Sequence, residues 1–375
     1  MPGLEVRQAE RSDWPQIYRF IESNYGSQAR YKDWPRHQWQ FLDNPHRSEA
    51  QGFPIWIAVT GTDRVVGAIA VQPATLWLGG DLFPAGWIVD VMIDPEYRGR
   101  GLGHKLHSAL QPTNPILVTL TMALATRKMA EKAGAITLGE GFQYTRLGNP
   151  TPKQIQLYLK ERARRKAWAA NLVETGRRLG APYVLTPFAK AIGSRIGPKA
   201  DLEIDIQPVD RFGRVADELW EAVKTDYPAI FVRDSKHMDW RFGTPPDLSY
   251  ERFVARRKGK AVGMLVLRRS VESELPIGFI SDIFAGKDDE PVWRSLMNYA
   301  VTSLRKDRAF IEGAASMGIL RKQFQAFGFL PTHKVRATVV AADARVRETV
   351  ERCKNEWFFT KGDHDWDQVH PIGHT

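Results

Sequence analysis

The stretch "VDVMIDPEYRGRGLGHKLHSAL", residues 89–110, decides how this chain is read. An alternating apolar run ends at Asp94-Pro95, glycines at 99, 101 and 103 follow, interleaved with Arg98 and Arg100, and a helical pattern begins at once. Glycines at that spacing let successive backbone N–H groups turn inward without interference from Cβ atoms. Such donors, followed by a helix N-terminus, form a nest for an anion, and the helix dipole favours negative charge there. No Gly-Lys-Ser/Thr follows, which excludes a Walker loop. The glycine spacing, the antiparallel hairpins before it and the lack of an acid about 20 residues on exclude a dinucleotide fingerprint.

The flanking pattern is a mixed αβ unit. Ser12-Asp13 is expected to cap a helix through "WPQIYRFIES". "PIWIAVTG" and "RVVGAIAVQ" read as a hairpin, and "TLWLGGDLFPAGWIVDVMI" as two further strands around Gly79-Gly80. A helix to Leu110, the strand "ILVTLTM", a helix over "TRKMAEKAG" and a last strand near "ITLGEGFQYTRL" complete the series.

The second half repeats this order. "WQFLDNP" at Trp39 is echoed by "WRFGTPP" at Trp240, and "WIAVTGTDRVVGAIAV" by "FVARRKGKAVGMLVL". "GWIVDVMI" is echoed by "GFISDIFA", aligning Asp90 with Asp282, and "ATRKMAEKAGA" by "ILRKQFQAFGF". Four echoes in one order imply duplication. The expected architecture is therefore α+β, two copies of a mostly antiparallel sheet flanked by helices in three layers. The expected boundaries are 1–150, a basic helical linker over 151–200, and 201–375. Where the first copy has its glycine loop the second has "AGKDDEPVW", with one glycine and the acids Asp288, Asp289 and Glu290, which would repel an anion.

The loop with its context resembles the acyl-CoA motif of the GNAT N-acetyltransferase superfamily, carried here by Arg98-x-x-Gly101-x-Gly103 after "VMIDPEY". The resemblance implies that Arg98, Gly99, Arg100, Gly101, Leu102 and Gly103 hold the CoA pyrophosphate. The backbone around Met92 and Ile93, on a strand splayed from its neighbour, would take the pantetheine arm. It further implies direct attack of an amine on the thioester, with the carbonyl polarised by a strand N–H and a base removing the amine proton. Asp90 is the candidate base, although its repetition as Asp282 in a copy without the loop also fits a structural role. The tyrosine that the family often uses as general acid is replaced by Ala130, leaving Tyr144 or solvent, and its frequent asparagine falls at Ala123. Tandem members with one working and one degenerate copy occur in the family, so a single acetyl-CoA site, in the first copy, is expected.

Residues 24–45, "NYGSQARYKDWPRHQWQFLDNP", fall where the family covers its acceptor. Tyr31, Trp34 and His37 are candidate acceptor contacts, suited to stacking on a sugar ring or another flat polar group. Trp39, repeated as Trp240, is expected in the core. The leading expectation is an N-acetyltransferase acting on a small-molecule or carbohydrate-borne amine. The alternatives are a non-catalytic tandem module binding CoA or a glycan, and an aminoacyl-tRNA-dependent transferase, against which the intact loop counts.

Bulk properties fit a globular protein: 43% apolar and 26% charged residues in a 375-residue chain, long enough for two domains. One cysteine, Cys353, excludes an internal disulfide and fits a cytoplasmic setting. No run reaches the length of a membrane span, and no signal segment is read at the start. The net charge of +10 is concentrated between 151 and 200, where eleven Lys/Arg meet two Asp/Glu. That localisation argues against a nucleic-acid footprint spread over a domain face. The linker is expected to dock the halves through Ile155, Leu159, Ala163, Trp168, Leu172 and Leu179, with contact to an anionic membrane, an acidic glycan or the CoA 3′-phosphate as the lesser expectation. His104 and His107, one turn apart, lack a third ligand, so no metal is expected. The tail "GDHDWDQVHPIGHT" is expected to be solvated.

Overall fold

A computed structural model describes residues 4–26, 29, 32–48, 52–110, 112, 114–120, 124–132, 134–163, 167–195, 197–270 and 275–368. In chain order its strands begin with β1 (Leu4–Gln8), β2 (Ile55–Thr60), β3 (Val65–Leu78), β4 (Asp81–Ile93), β5 (Ile116–Thr119), β6 (Ile136–Thr137) and β7 (Gly141–Leu147). They continue with β8 (Ile204–Val209), β9 (Ala229–Phe231), β10 (Glu251–Arg257), β11 (Lys260–Arg269), β12 (Ile277–Ala285), β13 (Phe310–Ala315), β14 (Leu330–Val335) and β15 (Thr338–Ala341). The helices include α1 (Trp14–Tyr25), α2 (Trp34–His37), α3 (Leu102–Leu110), α4 (Leu124–Lys132), α5 (Pro152–Ala163), α6 (Ala167–Arg178) and α7 (Ala181–Ser194). Their counterparts in the second half are α8 (Arg214–Val223), α9 (Ser235–Gly243), α10 (Glu290–Leu304) and α11 (Gly318–Ala326).

Two compact units result, neither of them contiguous in sequence. The first gathers Met1–Glu140, Tyr227–Leu248 and Val335–Trp357; the second gathers Gly141–Asp226, Ser249–Lys334 and Phe358–Thr375. In the first, the sheet order is β1-β2-β3-β4-β5-β15-β6; in the second it is β8-β10-β11-β12-β13-β7-β14. Over these seven strands the two sheets share one order, and the first also holds β9, antiparallel to the end of β3 (Trp77↔Ile230). Each sheet, however, takes its sixth strand from the other copy: β15 pairs antiparallel with β5 (Val339↔Val118), and β7 with β13 (Glu312↔Thr145). A ladder is made of backbone groups, so the two copies' last strands are equivalent partners for either sheet. This exchange interleaves the chain across the boundaries at 150 and 200 that the repeat suggests.

In the first unit β3 and β4 form one long hairpin with Gly79-Gly80 at its turn, so the strand expected at "TLWL" is the end of β3. Layers close both faces. On one, Leu102, Leu106 and Leu110 of α3 join Trp56, Val66, Ile69 and Ile88 in a core. On the other lie Ile17 and Ile21 of α1 and Phe41 beyond α2. Asp13 does not cap α1 with its side chain. It accepts two bonds from the Arg7 guanidinium at 2.7 Å, the main reason its carboxyl titrates below the usual range, and a third from the Glu10 N–H. Trp39 is buried as expected. It stacks on Trp240 with ring centres 5.0 Å apart, and each indole N–H donates to the other's carbonyl, at 3.2 and 3.0 Å.

The linker helices belong to the second unit and depart from the expected stripe. Ile155 and Ala163 are buried, whereas Leu172 and Leu179 are exposed.

Candidate functional site

The site begins with an irregularity in β4. Ala70 pairs with Val89 and Ala68 with Met92, so Asp90 and Val91 together oppose Ile69. This is a β-bulge, and Asp90 adopts φ +52° within it, a conformation an aspartate tolerates better than most side chains. The bulge turns the Asp90 carboxylate onto the α1–α2 face. Beyond it the strand loses its neighbour: β4 and β5 pair in parallel only at Gly86↔Leu117 and Trp87↔Val118. The Asp94 N–H donates to Val66 at 2.9 Å, and pairing alternates along an antiparallel ladder. The Met92 peptide therefore faces Ala68, and the Ile93 peptide faces the open edge. Of the two residues expected to meet pantetheine, Ile93 presents its backbone and Met92 its side chain.

The loop follows directly. Asp94 caps the turn at Pro95–Tyr97 by accepting from the Glu96 N–H. Gly99 and Gly101 take φ +72° and +77°, and a Cβ added to either would meet nothing within 4 Å. Among the described residues none accepts a bond from the N–H of Gly99, Arg100 or Gly101, and Leu102 and Gly103 open α3, whose first N–H groups have no partner within the helix. Arg98 is exposed and donates from Nε to the Ile93 carbonyl at 3.0 Å, while the Arg100 guanidinium lies 5.9 Å from the Tyr97 ring centre. Two cations thus flank the nest with nitrogens to spare.

On the opposite face of β4 a narrow cavity is lined by Asp90, Met92, Ala68, Lys32, His37 and Phe41, among others. The room for the centre of a water-sized sphere is about 20 Å³, enough for about one water. Asp90 is ion-paired with Lys32 and accepts from the Tyr25 hydroxyl at 3.1 Å. Neither partner is evident from spacing, because both come from a segment about sixty residues away. His37 is buried among Trp14, Phe41 and Phe53, and burial, aided by Lys32, pushes its imidazole down to about 3. It is neutral, and among the described residues its Nε2 has no hydrogen-bond partner. A buried nitrogen without a partner is costly unless something else supplies one. Trp34 packs edge-on against Trp14 at 5.2 Å with Arg11 over its ring at 4.9 Å, beside the cavity rather than in its lining. Tyr31 and Ala123 lie outside the described residues.

The corresponding places in the second unit are occupied by the chain itself. The Asp289 side chain caps α10 by accepting from the Val292 N–H at 3.4 Å and is paired with Arg257 at 2.9 Å, so a carboxylate fills the anion position. Asp282 accepts from the Thr360 hydroxyl at 2.9 Å, and Lys361 reaches Glu312, the partner of Phe279 in the last β12/β13 pair. Residues 360–368 are thus largely buried rather than solvated, because the sheet face supplies their charges with partners; residues from 369 onward lie outside the described part. Burial pushes Glu312 up and Lys361 down, each opposed by the other's charge. Tyr144 also belongs to this unit, buried against Phe324 with ring centres 4.9 Å apart. His104 is exposed, and among the described residues no three His, Cys, Asp or Glu side chains are grouped to hold a metal.

Residues 5–111 match the model of an acetyltransferase (GNAT) domain. Among solved structures, the chain is similar to a GCN5-related N-acetyltransferase from Anabaena variabilis, at 14% identity and TM-score 0.57, over 92% of this chain and 74% of that one. A second GCN5-related N-acetyltransferase, from Kribbella flavida, gives 16% identity and TM-score 0.55, over 92% and 72%. Saccharomyces cerevisiae N-myristoyltransferase with bound myristoyl-CoA gives 10% identity and TM-score 0.56, over 90% and 83%. No curated protein sequence matches the chain. At these identities the structural likenesses concern the fold. The matched stretch, similar to a GNAT acetyltransferase domain, lies in the copy that keeps the glycine loop, and the two-sheet fold of the whole chain is similar to that of the GNAT-fold structures.

Proposed function

We propose that the protein transfers a small acyl group, acetyl in the first instance, from acyl-CoA to an amine, using the first unit alone. One observation carries this reading. The open nest at Gly99–Gly103 stands at the head of α3 beside the unpaired edge of β4, while the matching anion position in the second unit is filled by Asp289. The nest donors and the Arg98 and Arg100 guanidinium groups would hold the pyrophosphate. The Ile93 backbone would align the pantetheine, and a strand N–H at the bulge would receive the oxyanion as the amine attacks the thioester carbonyl. Asp90 would take the amine proton, directly or through a water in the cavity, and the thiolate would leave to be protonated by solvent. His37, held neutral, is suited to hydrogen bonding with the acceptor rather than to carrying its proton. The small cavity beside Asp90 favours a short acyl group, and Trp34 at its margin favours a flat or carbohydrate-borne acceptor.

Calorimetric titration with acetyl-CoA tests the first half of this reading, and thiol release across amino sugars, polyamines and amino acids tests the second. One binding event per chain followed by thiol release with some amine is expected. Binding without release from any acceptor would instead favour a CoA-binding module, consistent with the engagement of Asp90 by Lys32 and Tyr25.

A further inference from the structure

The linker helices carry a surface that acyl transfer does not use. In α7 the buried positions are small: Pro182, Thr186, Ala189 and Gly193 recur on one narrow face. That face lies so close to the chain after β7 that a Cβ on Gly193 would come within 1.9 Å of the Gly148 carbonyl oxygen. The large apolar side chains point the other way. Tyr183, Val184, Phe188 and Ile192 are exposed, with Leu179 in the preceding turn at 79% and Phe188 at 66%. A helix whose small residues are inside and whose large residues are outside is not a core helix facing solvent by accident, and contiguous apolar patches of this kind mark contact surfaces. Basic residues frame it: Arg177 and Arg178 before the turn, paired with Glu174, and Lys190 and Arg195 toward the far end.

We infer that α7 and the α6–α7 turn are a docking face for an anionic lipid bilayer, on which α7 lies flat. Apolar side chains rimmed by Lys and Arg match the boundary between acyl chains and anionic headgroups. The helix is 14 residues, about 21 Å long, and among the described residues no helix is long and apolar enough to cross a membrane, so the contact is peripheral. A second copy of the chain fits less well, because two such faces in contact would bring their Lys and Arg together. Nucleic acid would leave the apolar side chains without a partner.

Co-sedimentation of the full chain tests this, using vesicles of phosphatidylcholine alone or with about 30% phosphatidylglycerol. Binding to the anionic vesicles is expected, weakening as salt is raised. Lys190→Gln/Arg195→Gln should lower the partition coefficient by about fivefold per charge. Phe188→Glu, at an exposed position, should lower it by at least about tenfold with an unchanged circular dichroism spectrum. Absence of binding to the anionic vesicles would overturn the inference, as would binding undiminished in Phe188→Glu. So would a dimer in vesicle-free solution that Phe188→Glu converts to monomer, since a second copy would then cover the face.

Discussion

Substituting aspartate for Gly101 separates the nest from an ordinary strand-to-helix turn. Gly101 sits at φ +77° with nothing within 4 Å of a Cβ placed on it. In the free protein the new side chain meets open space, so the cost is the left-handed conformation, about 1–2 kcal/mol and less for an aspartate. In the complex the carboxylate would lie among donors meant for phosphate. A unit charge about 4 Å from another, at an effective dielectric constant of about 20, is worth roughly 4 kcal/mol. That is about a thousandfold in affinity, since each 1.4 kcal/mol is tenfold. Gly101→Ala meets a similar conformational cost without the charge, and should weaken binding far less. Calorimetric titration of both variants with acetyl-CoA, alongside thermal melting, reads the two effects separately. The expected pattern is a small, shared loss of stability and a large loss of affinity confined to Gly101→Asp. A folded Gly101→Asp protein that binds acetyl-CoA as well as wild type would refute the nest.

Asp90→Asn keeps a side chain tolerated at φ +52° while removing the charge paired with Lys32. Turnover should fall by about a hundredfold or more with acetyl-CoA affinity unchanged, and full turnover would remove Asp90 as the base. The buried histidines predict acid sensitivity. Burial lowers His37 to about 3 and His46 to about 4, and His46 Nε2 is 2.9 Å from Nδ1 of His237, itself well below its ordinary value. Below the unfolded pKa of about 6.5 the unfolded chain binds protons that the native state refuses, so stability is full above that pH and falls toward pH 4, by about 1.4 kcal/mol per pH unit for each such histidine. Chemical denaturation between pH 7 and pH 4.5 checks this, and His37→Phe should flatten the slope. In the second unit, Lys361→Ala would leave Glu312, among the described residues, with Gln143 as its remaining side-chain donor at 2.9 Å. A loss of about 3–5 kcal/mol in denaturant unfolding is expected, with acetyl-CoA affinity unaltered if the cofactor site is confined to the first unit.

Much of the site was legible because it is local. The turn glycines at 99 and 101 and the helix that follows are fixed by neighbours within a dozen residues, and so is Asp289, which caps α10 in the other copy. The repeat, too, could be read directly, since both sheets keep one strand order and both copies place a tryptophan, Trp39 and Trp240, at the same point. What spacing could not show depends on encounters between distant segments. Lys32 and Tyr25 converge on Asp90 only because the bulge in β4 turns its carboxylate toward α1, whereas Asp282 meets Thr360, so one repeated aspartate has two different sets of partners. The exchange of β7 and β15 was equally hidden: hydrogen-bonded ladders do not distinguish which copy donates a strand, and only the path of the folded chain chooses. The linker illustrates the same limit. Its apolar periodicity declares an amphipathic helix, but the close approach at Gly193 and Gly148 decides that the small residues face inward and that Tyr183, Phe188 and Ile192 face out.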